Sequence, residues 1–314
     1  MDRYSIVLGK DPPILSQVVL PELPKPKKKK VEPPAIDRDD LLRGLIQTNE
    51  GRQRLAASMM QPLRQRLDLM SIARRAFRVD HLPPGSSAIY DTVTTSFALN
   101  ETGEEVVAVL GRGRIPMFQC STNQEIPLRV IRERVFDSVE RAQESAVNAL
   151  SLVENTGMVT VLDAITQRHE RVIEAPQINM PTLMEAFSLI ERNDLRVANI
   201  FMNPADFLQA RVIIPPDVLD IIGSREFNNM GLMGTFLGAH VVVSRVVPAN
   251  QVYVTAEAEF TGIMPMRGDL TILCADDPRT LRVGWVFFEE IGICCTNPYS
   301  VSKIIVPAQA AASS

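Results

Sequence analysis

The chain has 314 residues, of which 46% are hydrophobic, 22% charged and 5% aromatic, and its formal net charge is −4. This composition is typical of a globular protein with one large or two small domains, and it excludes intrinsic disorder of the whole chain. The mild acidity argues against a dedicated nucleic-acid-binding protein, which would carry a clustered basic face. No apolar run reaches the roughly 20 residues of a membrane-spanning helix, and the polar N-terminus lacks the apolar core of a signal peptide, so we expect a cytoplasmic chain.

The N-terminal segment up to Pro34 is rich in proline and contains a run of lysines. Proline removes backbone donors and the lysines repel one another, so this segment cannot be a helix. It is either a disordered tail with a solvated charge run or an arm that lies on a partner, with its lysines against DNA phosphates or an acidic patch of a neighbouring subunit. The candidate DNA-facing residues are Lys25, Lys27, Lys28, Lys29 and Lys30.

The hydrophobic pattern from Arg38 to Gln167 predicts helices, followed by a ribbon and then one long helix. Apolar residues at helical spacing begin at Arg38, and Pro62 is expected to interrupt them. Alternating segments between Ser86 and Arg129 predict a long two-stranded ribbon, which is marginal alone and should pack against another chain or another part of this one. An apolar stripe from Arg134 to Gln167 predicts a strut helix of about 50 Å.

The C-terminal half predicts a mixed α/β unit. Thr182 and Glu185 have the form of a capping box, which predicts a helix start. Asn203 suits an N-cap and Pro204 the first position of a further helix. Strands are predicted at residues 241–247, 252–254, 262–265, 270–273, 283–288 and 304–306.

Several local patterns could carry chemistry, but each has a simpler structural interpretation. Gly111–Arg114 resembles a phosphate loop, yet it lacks a third glycine, a following helix and a P-loop lysine, so a turn with surface arginines is predicted. Glu289 and Glu290 have no evident second carboxylate opposite them and are expected to be solvated acids at a strand edge. Arg267–Asp269 fits a hairpin turn.

The cysteines and histidines do not predict a reactive or metal-binding site. The four cysteines form no CxxC pair and the three histidines lie far apart in sequence, so we expect no metal site, no disulfide framework and reduced thiols. Cys294 and Cys295 could supply a nucleophile, but no nearby histidine or basic helix start would activate them. Packing is the expected role of both.

The order of these elements resembles that of the major capsid proteins of tailed bacteriophages, which have the Hong Kong 97-type fold. Leu67–Arg75, followed by Val79–Gly85, resembles the segment that leads into the extended loop of that family. Phe201–Pro204 resembles the strand-to-helix junction of its axial domain. Its closing strands are matched in order by Gly238–Ser244, Val252–Val254, Arg267–Leu270 and Phe288–Pro298. The resemblance covers most of the chain from residue 55 onward.

The resemblance implies an α+β fold with an N-terminal arm, an extended β-hairpin loop, a long spine helix, a peripheral domain and an axial domain. The implied boundaries are 1–75 for the arm and leading helix, 86–129 for the extended loop, 130–177 for the spine helix and peripheral domain, 178–260 for the axial domain, and 261–314 for the closing strands of the peripheral domain.

The function that the resemblance implies is that of a structural protein without enzyme activity, cofactor or metal. Its subunits would assemble as hexamers and pentamers into an icosahedral or prolate shell around double-stranded DNA, bound without sequence specificity. The virion would be its location and the bacterial cytoplasm its place of assembly. A portal protein and a decoration protein are implied partners, and the short arm implies a separate scaffolding protein or none. Residues 86–129 contain no lysine, so the isopeptide crosslink of some relatives is not expected.

The resemblance also implies two sets of contact residues. Capsomer-centre candidates are Arg225, Glu226, Asn228, Asn229 and Met230, and extended-loop candidates are Asn100, Glu101, Glu104, Arg112 and Arg114. Two alternatives remain at this point. One is an encapsulin-type compartment with the same fold and an enzyme cargo instead of a genome. The other is a cytoplasmic α/β enzyme, which the sequence disfavours because no base, nucleophile and cofactor loop occur together.

Overall fold

The structure, a computed structural model, describes residues 38–92, 96–99, 105–108, 111–133, 135–213, 219–221, 232–277 and 279–307. The helices of these residues are α1 (Arg38–Gln47), α2 (Asn49–Met70), α3 (Ala73–Ala76), α4 (Leu128–Glu133), α5 (Val135–Arg168), α6 (Met180–Glu191), α7 (Pro204–Ile213) and α8 (Ala258–Thr261). None of these helices combines the length with the apolar character that crossing a bilayer requires.

The strands follow the same chain order. They are β1 (Arg78–Leu82), β2 (Ile89–Thr92), β3 (Ser96–Leu99), β4 (Glu105–Ala108), β5 (Gly111–Arg114), β6 (Phe118–Pro127), β7 (Val172–Glu174), β8 (Val197–Met202), β9 (Leu219–Ile221), β10 (Leu232–Phe236), β11 (Ala239–Val243), β12 (Gln251–Ala256), β13 (Gly262–Asp277), β14 (Arg282–Ile291), β15 (Cys294–Cys295) and β16 (Val301–Ile305). Except for β2 and β5, which pair only with each other, they form two sheets.

Helix α2 runs through the proline that was expected to break it. The Thr48 hydroxyl accepts a hydrogen bond from the Gly51 amide at 3.0 Å and caps the helix start. Pro62 is exposed, whereas Leu63 beside it is buried with the apolar stripe of the same helix. The predicted interruption is therefore wrong, because burial of that stripe outweighs the cost of about 3 kcal/mol of an interior proline.

The first sheet has the order β4-β3-β15-β13-β14-β6, with β1 parallel to β13. Its longest strand, β13, continues through the Arg267–Asp269 tripeptide, so the predicted hairpin turn is wrong. The register to β14 instead shifts between Arg267 and Thr271, and Gly268 has φ +76°, so the tripeptide forms a bulge. Helices α1, α2 and α5 pack with this sheet around a core that contains Trp285.

The second sheet has the order β7-β16-β12-β8-β11-β10-β9 and mixes parallel with antiparallel pairs. Helix α6 begins at Met180 because Asn179 caps it, accepting from the Thr182 amide at 3.0 Å; the predicted start at Thr182 is thus shifted by one turn. Asn203 accepts from the Ala205 amide at 3.1 Å at the start of α7, as the sequence predicts. Side chains from α6 and α7 pack with the sheet in a second core.

Helix α5 connects the two sheets. It contains 34 residues, which corresponds to about 50 Å, and it confirms the predicted strut. It contacts β6 and β3 of the first sheet and β16 of the second. Each contact between α5 and one of the sheets therefore also helps to hold the two sheets together.

Candidate assembly surfaces

Most of the contact residues implied by the resemblance lie outside the described residues. This applies to Lys25, Lys27, Lys28, Lys29 and Lys30, to Asn100, Glu101 and Glu104, and to Arg225, Glu226, Asn228, Asn229 and Met230. Arg112 lies on β5, where only its backbone is described, and Arg114 is exposed at the end of the same strand. The Gly111–Arg114 stretch is a strand paired with β2, not the predicted turn.

The predicted ribbon consists of two strand pairs. Strands β2 and β5 pair in antiparallel register next to the body, and β3 and β4 pair on either side of residues 100–104, which lie outside the described residues. Strand β3 also pairs with β15 of the same chain, where Phe97 is opposite Cys295 and Ala98 opposite Cys294. In the structure of the single chain, part of the ribbon thus rests on its own first sheet.

The base of the ribbon is held to the body by directed hydrogen bonds. The Ile115 amide donates to the Ala88 carbonyl at 2.8 Å, and the Arg267 guanidinium donates to the Ser86 carbonyl at 3.0 Å. The Tyr90 hydroxyl donates to the Asp80 carboxylate, and burial together with that carboxylate raises the pKa of Tyr90. These bonds fix the point at which the ribbon leaves the body.

Helix α7 presents an apolar face to solvent. Leu208 is 61% exposed, Val212 87% and Ile213 40%. Beside them lies a groove of about 630 Å³, lined by Pro176, Gln177, Gln209, Val212, Ile213, Asn250, Val306 and Pro307. These lining residues carry no formal charge, so the groove suits a neutral, largely apolar surface. Exposed apolar groups that adjoin a groove are typical of protein contact sites.

A buried ion cluster, which we call the Arg74 joint, fastens α5 to the first sheet. The Arg74 Nε atom is 3.1 Å from both carboxylate oxygens of Glu154, and its Nη2 atom is 3.0 Å from Oε2 of Glu289. The side chains of Arg74, Glu154 and Glu289 are 4%, 0% and 2% exposed. The half-exposed Asp68 accepts from Nη1 of Arg74 at 2.5 Å.

Glu289 was expected to be a solvated acid at a strand edge, and that prediction is wrong. It lies on an inward position of β14, opposite Cys120 of β6, and Arg74 provides the countercharge that makes burial possible. Glu290, the next residue, points the other way and pairs with Arg267. Strand alternation could have placed one of the two acids inward, but only the fold brings Arg74 to it.

Asn155, which follows Glu154 on α5, caps the start of the short helix α3. Its Oδ1 atom accepts from the backbone amides of Ile72 at 2.9 Å and Ala73 at 3.1 Å. Sequence reasoning missed both Glu154 and Asn155. One signal was available in the sequence. Both polar residues lie between Leu150 and Met158, which belong to the buried apolar stripe of the same helix, so their burial could have been expected.

A second ion cluster, which we call the Lys303 joint, fastens α5 to the second sheet. Lys303 of β16 donates to Oδ1 of Asp163, and the Tyr253 hydroxyl donates to the same oxygen at 3.1 Å. Gln167 donates to Oδ2 of Asp163 at 2.8 Å. Lys303 is 2% exposed and Asp163 36%. Burial, with the Asp163 charge, raises the pKa of Tyr253, so the phenol stays protonated.

These clusters are suited to holding elements together. Cys120, Cys294 and Cys295 are buried, and burial raises the pKa of Cys120 and of Cys295, which keeps those two thiols protonated and unreactive. Among the described residues, no group of histidine, cysteine and acidic side chains could hold a metal ion. Among the described residues, the ribbon, the α7 face and its groove are surfaces that another molecule could contact.

Comparison with known proteins gives matches in structure. Protein-family models and curated proteins give no match to the sequence. A structure from Mycobacterium phage Adephagia has a TM-score of 0.55 at 10% identity, covering 75% of this chain and 90% of that one. One from Microbacterium phage Oxtober96 has a TM-score of 0.54 at 13% identity, covering 75% and 91%. The virus-like particle from Pyrococcus furiosus has a TM-score of 0.51 at 15% identity, covering 79% and 98%.

The similarity extends over nearly the whole length of each of these proteins. Two of these structures come from bacteriophages and the third is a virus-like particle, and the matches confirm the fold predicted from the sequence, that of tailed-phage major capsid proteins.

Proposed function

We propose that this chain is the major capsid protein of a tailed bacteriophage, which self-assembles as hexamers and pentamers into a shell around double-stranded DNA. The observation that carries the proposal is the match to phage capsid structures over 90% or more of their length. In this proposal residues 86–129 form the extended loop, 178–260 the axial domain, and the lysines at 25 and 27–30 face the packaged DNA. Portal, scaffolding and decoration proteins would be further partners.

The exposed surfaces support self-assembly. The apolar face of α7 is unfavourable in water and becomes favourable when a second copy covers it. The ribbon supports the same conclusion, because its strand β4 lies at the edge of the first sheet, where a strand of a second copy can pair with it. Many such modest contacts act together in a closed shell, since each contact after the first costs little additional translational entropy.

The test is electron microscopy and sedimentation of the purified chain, expressed alone and with its genomic neighbours. Hexamers, pentamers or closed shells are expected, and nuclease-protected DNA is expected inside particles made with the neighbours. A strict monomer under every condition would overturn the proposal. The match to a virus-like particle favours a second candidate, an encapsulin-type compartment, which closed shells containing a protein cargo and no DNA would support.

The α7 face allows a sharper version of this test. Leu208→Asp with Val212→Asp should abolish assembly while the chain stays folded, because both side chains are exposed in the single chain. Met184→Asp, at a comparably exposed apolar position of α6, serves as the matched control. Shells of normal yield from the double variant would show that the α7 face is not a contact surface. The assembly result for the parent chain would still stand.

A further inference from the structure

The Arg74 joint contains more negative than positive charge. One guanidinium faces two carboxylates that are almost completely excluded from water, Glu154 and Glu289. Arg74 remains charged. Burial lowers its pKa, but the hydrogen bond and charge of Glu154 and the charge of Glu289 raise it by more, so the net pKa is above its ordinary value. Asp68 at the rim adds a third carboxylate to the same guanidinium. If all of these acids were ionised, the buried part alone would carry a net charge of one negative unit.

The hydrogen bonds show the same imbalance. Oε2 of Glu289 accepts from Arg74, whereas Oε1 of Glu289 is buried and has no hydrogen-bond partner among the described residues. Oε1 of Glu154 and Oε2 of Glu289 both accept from the same Nη2 atom of Arg74, so the two carboxylates lie close together. Two ionised carboxylates held this close repel each other, and a buried acceptor without a donor destabilises the fold. A single added proton removes both penalties, since it neutralises the excess charge and turns an acceptor into a donor.

We propose that Glu154 and Glu289 together form a binding site for one proton, and that this bound proton fastens α3 and α5 to β14. The site is independent of the proposed function, because it lies inside one chain. The groups that face it are Asp68 from α2, Arg74 from α3 and Cys120 from β6. Cys120 is a neutral thiol there and adds no compensating charge.

The electrostatic environment supports the site and sets the sign of its effect. Burial, followed by the charge of Glu154, raises the pKa of Glu289 well above its usual range, and Arg74 opposes this shift without cancelling it. The folded chain therefore holds the proton at pH values where the unfolded chain has lost it. The resulting stability is complete below the unfolded pKa of about 4.3 and is lost as pH rises through the folded pKa.

The experiment compares the full chain with Glu289→Gln, which places a neutral donor where the proton would be. Glu185→Gln, at an exposed position of α6, is the matched control. Stability is measured by urea denaturation between about pH 5 and pH 9, where one released proton changes the unfolding constant by up to tenfold per pH unit. Parent and control should lose stability as pH rises, whereas Glu289→Gln should have a flatter profile and exceed the parent at the alkaline end.

A second measurement protects the test against a variant that fails to fold. Isotope-edited infrared spectroscopy of the folded parent chain near neutral pH should show the carbonyl stretch of a protonated carboxyl group, which ionised carboxylates lack. The band should persist in Glu185→Gln and disappear in Glu289→Gln. Absence of the band from the parent, or an unchanged pH profile in a folded Glu289→Gln variant, would overturn the proposal. Neither result depends on whether the chain forms shells.

Discussion

The Arg74 joint and the Lys303 joint each hold helix α5 to a sheet, but they differ in charge balance and in exposure to solvent. At the Arg74 joint, one cation holds two carboxylates in a region closed to water. At the Lys303 joint, one cation holds one carboxylate that keeps 36% of its surface exposed and has two further donors, Tyr253 and Gln167. The Arg74 joint therefore has an excess of negative charge and is buried, whereas the charges of the Lys303 joint balance and its carboxylate is partly solvated.

This difference determines what each joint can tolerate. A charge that loses its partner costs most where water cannot replace the partner. The Arg74 joint should therefore be both the more sensitive to substitution and the more sensitive to pH. The following substitutions test this contrast, in order of decreasing effect on folding stability.

Arg74→Met should have the largest effect. It leaves Glu154 and Glu289 buried without a cation, and we expect a loss of about 3–5 kcal/mol in the free energy of unfolding. Urea denaturation measures it, with Arg66→Met at an exposed position of α2 as the control. A loss equal to that of the control would mean that the joint does not hold α5 to the first sheet.

Lys303→Met should cost less. Asp163 retains its bonds from Tyr253 and Gln167 and its access to water, so we expect about 1–3 kcal/mol. The same denaturation experiment applies, with Arg196→Met at an exposed position before β8 as the control. If this variant were as unstable as Arg74→Met, solvent access would not explain the difference between the joints.

Asn155→Ala should cost about 1–2 kcal/mol, because two backbone amides at the start of α3 lose their acceptor. Amide hydrogen exchange provides the local readout, and exchange should accelerate at Ile72 and Ala73 before it does elsewhere. Asn148→Ala, at an exposed position of the same helix, should leave those amides protected. Equal protection in both variants would contradict the capping role.

Leu208→Asp should have the smallest effect on folding, within about 0.5 kcal/mol, because its side chain is 61% exposed and lies away from both joints. Urea denaturation of the unassembled chain measures this, while its effect on assembly is judged separately by sedimentation. A large loss of folding stability would show that the α7 face supports its own chain rather than a second copy.

Local patterns allowed much of the fold to be predicted. The apolar stripe of α5, the positions of β12 and β14, and the capping of α7 by Asn203 all follow from residues close together in sequence. The element order that they produced, together with short segments that resemble those of phage capsid proteins, predicted the capsid fold, which the structural matches confirm. The proposed contact residues could be listed from the resemblance, but they stay predictions.

The errors occurred where distant residues decide the outcome. Pro62 stays inside a helix because neighbouring side chains are buried by other elements, and Arg267–Asp269 becomes a bulge because β13 pairs with β14 on both sides of it. By contrast, the prediction that the ribbon packs against another chain or another part of this one is confirmed, because β3 pairs with β15, almost 200 positions later. Such pairings leave no trace in local periodicity.

The sequence by itself determined which segments become helices and strands and in what order, because hydrophobic periodicity and capping act over only a few residues. Only the tertiary structure decided that Glu289 is buried and that Arg74 and Glu154, 80 positions apart, meet it. The physical reason is that an ionisable side chain has no fixed environment of its own. Its burial, its partner and its proton depend on the charges that the fold brings within a few ångströms.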